Sequence, residues 1–253
     1  MALEYYGKAF AICEKVLDAE HPDTATYYNN IGLVYDAQGN YDLALEYCGK
    51  ALSIFEKILG REHPYTAASY NNIGEVYDSQ DNYDLAIEYY ENALAIREKV
   101  LGTEHPDTAG SYNNIGAVYY KQGKNNLALD YFWKALSIWE KVLGAEHPDT
   151  AASYNNIGFV YSIQGKYDLA LEYIGKALAI REKVLGAEHP DSATSYNNIG
   201  LVYSEQGNYD LALEYFGKAL AIREKVLSRE HPHTKTTINN LDLTYREWEG
   251  RSG

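Results

Sequence analysis

The chain has 253 residues, 46% of them hydrophobic, with 22 basic against 36 acidic side chains and a net charge of −14. So acidic a balance argues against a surface for nucleic-acid phosphates or anionic lipid headgroups and favours basic or neutral partners. No stretch approaches the roughly 18 apolar residues that a membrane span needs, and the opening text, MALEYYGKAF, does not read as a secretory leader.

The predicted elements belong to one unit written six times. His-Pro falls at His21, His63, His105, His147, His189 and His231, each step being 42 residues. A fixed period of this size marks stacked units, none of which can bury its apolar face alone. The chain therefore reads as a single repeat domain, 1–253, with a leading segment 1–20, units 21–62, 63–104, 105–146, 147–188 and 189–230, and a terminal segment 231–253.

The first element is a helix over about Ala2 to Leu17, matching the second half of later units. Each full unit then predicts a shorter helix, A, and a longer helix, B. In the unit from His147, Tyr154, Ile157, Val160 and Tyr161 recur helically in A, and Leu169, Tyr173, Ala177, Ile180 and Leu185 do so in B. Pro148 and Asp149 suit the first turn of A, Gly165 its end, and Gly186 the end of B. The last element is an A helix from about Thr234 to Trp248, which brings the expected total to about 12 antiparallel helices in an all-α fold.

Small residues recur at fixed places. Gly32, Gly74, Gly116, Gly158 and Gly200 sit inside A helices, where glycine costs about 1 kcal/mol against alanine, so their recurrence implies close helix approach. Two alanine columns in B, one through Ala2 and Ala44 and one through Ala9 and Ala51, imply the same. Cys48 falls in a column with Tyr90, Phe132, Ile174 and Phe216 and is expected in the core. Cys13 falls with Phe55, Arg97, Trp139, Arg181 and Arg223, a variable column expected at the surface. Two cysteines without redox or metal spacing point to a reducing, cytoplasmic setting.

With these positions in place, the chain resembles the tetratricopeptide repeat. Tyr28, Ile31, Gly32 and Tyr35 match the family's helix A pattern, and Ala44, Cys48 and Ala51 match helix B, with aromatics at Tyr90, Phe132 and Phe216 in sister units. The family's usual period is 34 residues; the 42-residue unit here, lengthened in helix B and the EHPDTA link, is similar to that of kinesin light chains. The resemblance implies a right-handed α–α superhelix whose A helices line the concave side and hold extended peptides.

On that geometry the candidate peptide-binding residues lie on helix A. Asn30, Asn72, Asn114, Asn156 and Asn198 form a ladder of amides, each able to donate and accept. Two roles are open to it: pairing with the backbone of a bound peptide, or bonding between neighbouring A helices. Beside it the columns vary. Asp36, Glu75 and Asp78 make the first two units acidic, while Tyr120, Phe159 and Ile163 make the middle apolar and aromatic. Unit 63–104 alone carries eight acids against two bases. A peptide with basic and apolar side chains fits this pattern, whereas the kinesin-type groove, as the resemblance has it, takes acidic ones. An acidic face that is merely solvated remains the other reading.

No catalytic residues, cofactor or metal site is expected. Equivalent histidines on stacked units lie about 10 Å apart, too far to share an ion, and Gly-rich phosphate loops, Ser/His/Asp sets and GxSxG turns do not occur. The expected partner is a protein or peptide segment, not nucleic acid or membrane. A structural or self-associating array is the alternative: Leu3, Tyr6 and Phe10 on the first B helix, facing a terminal A helix without its own B, could pair copies head to tail as a homo-oligomer. The altered terminal helix, with Asp242 for glycine and Trp248 for glutamine, reads equally as a solubilising cap.

Overall fold

The computed structural model describes residues 20–252; the leading B helix, with Ala2, Ala9, Cys13 and the Leu3, Tyr6 and Phe10 face, lies outside them. Among the described residues eleven helices follow: α1 (Pro22–Ala37), α2 (Tyr41–Ile58), α3 (Pro64–Ser79), α4 (Tyr83–Val100), α5 (Pro106–Lys121), α6 (Asn125–Val142), α7 (Pro148–Ile163), α8 (Tyr167–Val184), α9 (Pro190–Glu205), α10 (Tyr209–Val226) and α11 (Pro232–Ser252). Odd numbers are A helices and even numbers are B helices. The described chain forms two compact bodies, one up to Tyr131 and one from Phe132 onward.

The repeated link explains the boundaries. Each A helix starts at the proline, whose missing N–H is no loss in a first turn. The histidine before it is the N-cap: its Nδ1 accepts from the N–H two residues on, at 3.1 Å in His21, His63, His105 and His189. That is the structural task of the recurrent EHP. The residue two after the proline closes the helix behind it. Thr66 donates to the Gly60 carbonyl at 2.8 Å, and Thr108, Thr150 and Ser192 repeat this at 2.9 Å. Gly60, Gly102, Gly144 and Gly186 stand at φ between 92° and 97°, which only glycine adopts without strain.

The A helices end at a second left-handed residue: Gly39, Gly123, Gly165 and Gly207, with Asp81 taking the position at φ 57° in one unit. In the terminal unit Glu249 holds that place. Glu249 stays helical there, and α11 runs on to Ser252, past the Trp248 end expected from the pattern. The extra turn lets the Arg251 guanidinium lie over the Tyr209 ring, 5.0 Å from its centroid.

In the first body α1 pairs with α2 and α3 with α4, while α2 against α3, α4 against α5 and α1 against α3 stack these hairpins. In the second, α7 pairs with α8 and α9 with α10, with α8 against α9, α10 against α11 and α7 against α9. The glycines and alanines work as their recurrence implies. A Cβ built on Gly158 would stand 2.6 Å from Ile174 Cγ1 and 3.0 Å from the Ala170 oxygen. Ala44, Ala51, Ala86, Ala93, Ala170, Ala177, Ala212 and Ala219 are fully buried, as is Cys48. The B stripe is shifted from the expected one: Ala170, Ile174, Ala177 and Arg181 are buried and Leu169 is exposed. Close approach at Gly158 selects the small alanine face, and a leucine there would hold the helices apart.

A second correction concerns the column expected at the surface. Phe55, Trp139, Arg181 and Arg223 are all buried. The arginines survive there because their donors are used. Arg181 donates to the Asp191 carbonyl at 3.1 Å and to Ser195 Oγ at 2.8 Å, and Arg97 does likewise with the Asp107 carbonyl at 3.1 Å and Ser111 Oγ at 2.7 Å. Arg223 bonds the His233 carbonyl and Thr237 Oγ1. Where an aromatic replaces arginine the serine must look elsewhere: Ser69 accepts from Asn29 at 2.9 Å, and beside Trp139 the buried Ser153 hydroxyl is left without a partner.

Candidate functional site

On three of the B helices exposed charges pair within the helix. Glu46 with Lys50, Glu172 with Lys176 and Glu214 with Lys218 pair one turn apart at 2.5–2.7 Å. The same lysines cap clusters of tyrosine, with Lys176 Nζ 4.8 Å from the Tyr173 ring centre and Tyr154 and Tyr161 within 6.0 Å of that ring. The tyrosine columns thus pack helices together. Tyr70 donates to Glu56 at 2.9 Å, and Tyr112, Tyr154 and Tyr196 bond Glu98, Glu140 and Glu182. Burial first, then the carboxylate partner, pushes these three hydroxyls up to about 12.

The A helices carry the amide ladder, and it bonds from helix to helix. Asn114 Nδ2 donates to Asn71 Oδ1 at 2.9 Å, Asn198 to Asn155 at 3.0 Å and Asn240 to Asn197 at 3.2 Å. The second amide of a pair reaches back to the first amide of the preceding A helix. Asn155 and Asn197 are buried, whereas Asn30, Asn72, Asn114, Asn156 and Asn198 are half-buried at the edge of the stack. The stacking role is therefore occupied at Asn114 and Asn198.

In the first body, Asp36, Glu75 and Asp78 come together at the C-terminal halves of α1 and α3. Ser79 Oγ donates to Asp36 at 3.2 Å, and Lys121 from α5 reaches Asp78 at 2.8 Å. Burial raises the Asp36 carboxyl above its usual range, the Ser79 bond opposes this, and Asp78 adds to the rise. Glu75, exposed as a whole residue, is raised first by desolvation of its carboxyl and then by Asp36 and Asp78. Cys48 lies beneath; burial, then Asp36 and Glu75, push its thiol up to about 12, so it is a packed thiol and not a nucleophile. Tyr120, on α5, has its hydroxyl raised by burial. Lys121 was not among the expected site residues; its place one unit after Ser79, in a column that otherwise lacks cations, was the available signal.

In the second body, Phe159 on α7 and Leu201 on α9 line a hollow of about 430 Å³ with Ser162, Ile163 and Glu205. Ile163 is 57% exposed there. A second hollow, of about 330 Å³, is bordered by Ser204, Glu205, Glu247 and Arg251. Among the described residues no group of three or more His, Cys, Asp or Glu side chains is placed to hold a metal, and no helix is long and apolar enough to cross a membrane.

These helix pairs have known counterparts. The tetratricopeptide repeat profile matches residues 1–47, 37–99, 79–132, 107–183, 149–225 and 191–251. A Podosopora anserina protein of nearly identical TPR-like repeats, described as a putative kinesin light chain, is 27% identical, with 82% of this chain and 99% of that one covered at TM-score 0.66. BtubC (BKLC) from P. vanneervenii shares the fold at 24% identity and TM-score 0.74, covering 90% and 92% of the two chains. A Rap protein solved with competence and sporulation factor shares it at 20% identity and TM-score 0.68, covering 90% and 64%. No curated protein sequence matches the chain. With an all-α architecture of A/B hairpins, the family profile across nearly the whole sequence, and neighbours of the kinesin light chain type, the chain belongs to the tetratricopeptide repeat family.

Proposed function

We propose that this protein is a non-enzymatic scaffold whose A-helix face binds extended protein segments carrying basic and apolar side chains. Tetratricopeptide repeat proteins are in general scaffolds for protein interactions. The observation that carries the narrower reading is the contrast between the two helix faces. On the B helices α2, α8 and α10 exposed charges are paired within the helix, at Glu46–Lys50, Glu172–Lys176 and Glu214–Lys218, whereas α4 has Asn92 in place of the lysine beside Glu88. On the A face the first body gathers Asp36, Glu75 and Asp78 around a single lysine, and the second body opens an apolar hollow at Phe159 and Leu201. The Asp36 and Glu75 carboxyls, held above their usual range by burial and by neighbouring carboxylates, are relieved by an incoming cation, so the cluster favours lysine or arginine. With Nδ2 of Asn114 and Asn198 engaged in stacking, the ladder's contribution to a ligand falls to the remaining amide atoms.

The test is fluorescence anisotropy with a labelled lysine-bearing peptide. Affinity near micromolar, about −8 kcal/mol, is expected. Lys121→Ala strengthens it several-fold by freeing Asp78, and Glu75→Lys weakens it at least about tenfold. Acid weakens it too. A carboxyl with a raised folded-state value is most stabilising when protonated, below its unfolded value, and that contribution is lost as pH rises through the raised value. Lowering pH through the range of Asp36 and Glu75 therefore protonates the cluster and removes the charge that holds the cation. Affinity that is indifferent to both substitutions and to pH rejects the acidic subsite.

A self-associating array is less favoured at its C-terminal end. Asp242 stands where each repeat has the glycine against which a B helix packs. Even a bare Cβ at Gly200 would stand 2.8 Å from the Phe216 ring. A repeat-type B helix from a second copy meets a carboxylate at that place.

A further inference from the structure

We propose that the A-helix face of the second body selects a polyproline-type extended segment with an apolar side chain at every third residue and a lysine or arginine set beside Glu205. The proposal deepens the reading of the A-helix face given above and rests on it. Phe159 and Leu201 face one hollow of about 430 Å³, room for a leucine-sized side chain. Leu243 repeats the position on α11 and is 58% exposed, so one apolar site recurs on each of three neighbouring A helices.

The step between these sites is set by direct helix packing. Asn198 to Asn155, Asn240 to Asn197, and Ser204 to Thr244 at 3.1 Å tie α7, α9 and α11 side by side. Helices packed this way lie about 8–10 Å apart. A polyproline II segment advances about 3.1 Å per residue with three residues per turn, so every third side chain points the same way about 9 Å further on. A β-strand fails the match, because its residues i and i+3 point to opposite faces. An α-helix could match the step only at every seventh residue. The border of the row favours the extended form. Ser162 lines the hollow and Asn198 stands one turn before Leu201; polar groups there suit a backbone whose own groups are unpaired, whereas a helix arrives with its backbone already bonded.

The charge is placed by Glu205 at the rim of the hollow. Glu205 and Glu247 both border the neighbouring hollow with Arg251, which is turned onto Tyr209, but of the two only Glu205 also borders the hollow of Phe159 and Leu201. The level that favours a cation is therefore that of Glu205, between α7 and α9.

Three labelled peptides of one composition test the proposal by anisotropy, with leucines spaced by two, three or seven residues and one lysine each. The spacing of three is expected to bind at least about tenfold tighter than the others, and Glu205→Lys or Ile163→Asp to remove about that factor. Both substituted residues are exposed, and unchanged circular dichroism verifies the fold. Equal binding at all spacings, or preference for seven, overturns the spacing; if Ile163→Asp still abolishes such binding, the A-helix reading survives. Absence of binding by all three peptides overturns the proposal, while the lysine-peptide test on Asp36, Glu75 and Asp78 decides the broader reading separately.

Discussion

Gly158→Ala is expected to destabilise the protein, and Gly175→Ala, on the partner helix of the same hairpin, to stabilise it. In both cases the intrinsic helix preference of alanine contributes about 1 kcal/mol in favour. At Gly175 no atom lies within 4 Å of the added carbon, so that gain is kept. At Gly158 the carbon meets Ile174 Cγ1 at 2.6 Å and two backbone atoms of α8 at 3.0 Å. The side chain can rotate away, but the backbone yields only by moving α7 from α8. Overpacking of this kind costs about 1–3 kcal/mol, which outweighs the propensity gain, and Gly158→Leu costs more than Gly158→Ala. Denaturant midpoints of the three variants against the parent chain read the result. A stabilising Gly158→Ala would mean that the A and B helices are not in contact at the glycine.

Arg181→Ala is expected to cost about 2 kcal/mol, because it strips a charged donor from the buried Ser195 hydroxyl and leaves it unsatisfied, while the Asp191 carbonyl keeps its helical partner. Burial lowers the guanidinium's proton affinity from its usual value, with Asp191 opposing, yet arginine stays charged, so the loss is one of bonding and not of titration. The unit with Trp139 indicates how the site works without arginine. There Ser153 is already orphaned, and Ser153→Ala is expected to be neutral or mildly stabilising, whereas Ser195→Ala costs about 1 kcal/mol. Arg181→Trp combined with Ser195→Ala recovers much of what Arg181→Ala loses. Urea melts of these four variants measure the pattern; equal cost for Ser153→Ala and Ser195→Ala contradicts it.

These two columns also mark what was legible in the sequence. The repeat step, the A and B helices, the glycine contacts and the buried Cys48 could be read because each follows from a local pattern that recurs in register. The arginine column could not, because a charged residue that varies with aromatics looks like surface text. Its burial depends on a serine or threonine fourteen residues away on another helix. The histidine cap was visible as recurrence but not as mechanism, since only the backbone conformation at His147 aims Nδ1 at the Asp149 amide. The length of α11 exceeded the pattern, with Glu249 helical at a glycine position. The acidic cluster was legible as columns one unit apart, whereas its pairing with Lys121 needed the register of neighbouring A helices. The apolar row through Phe159 was legible in part; the hollow it shares with Leu201 follows from side-by-side packing of α7 and α9.

The most direct test of the ligand face is photo-crosslinking of a benzophenone-bearing, leucine- and lysine-containing peptide, with the attachment sites mapped by mass spectrometry. The expected attachments fall on A helices, at and around Asp78, Tyr120, Phe159, Ile163 and Leu201. Attachment confined to the B helices, around Lys50, Lys176 or Lys218, would contradict the assignment of function to the A-helix face.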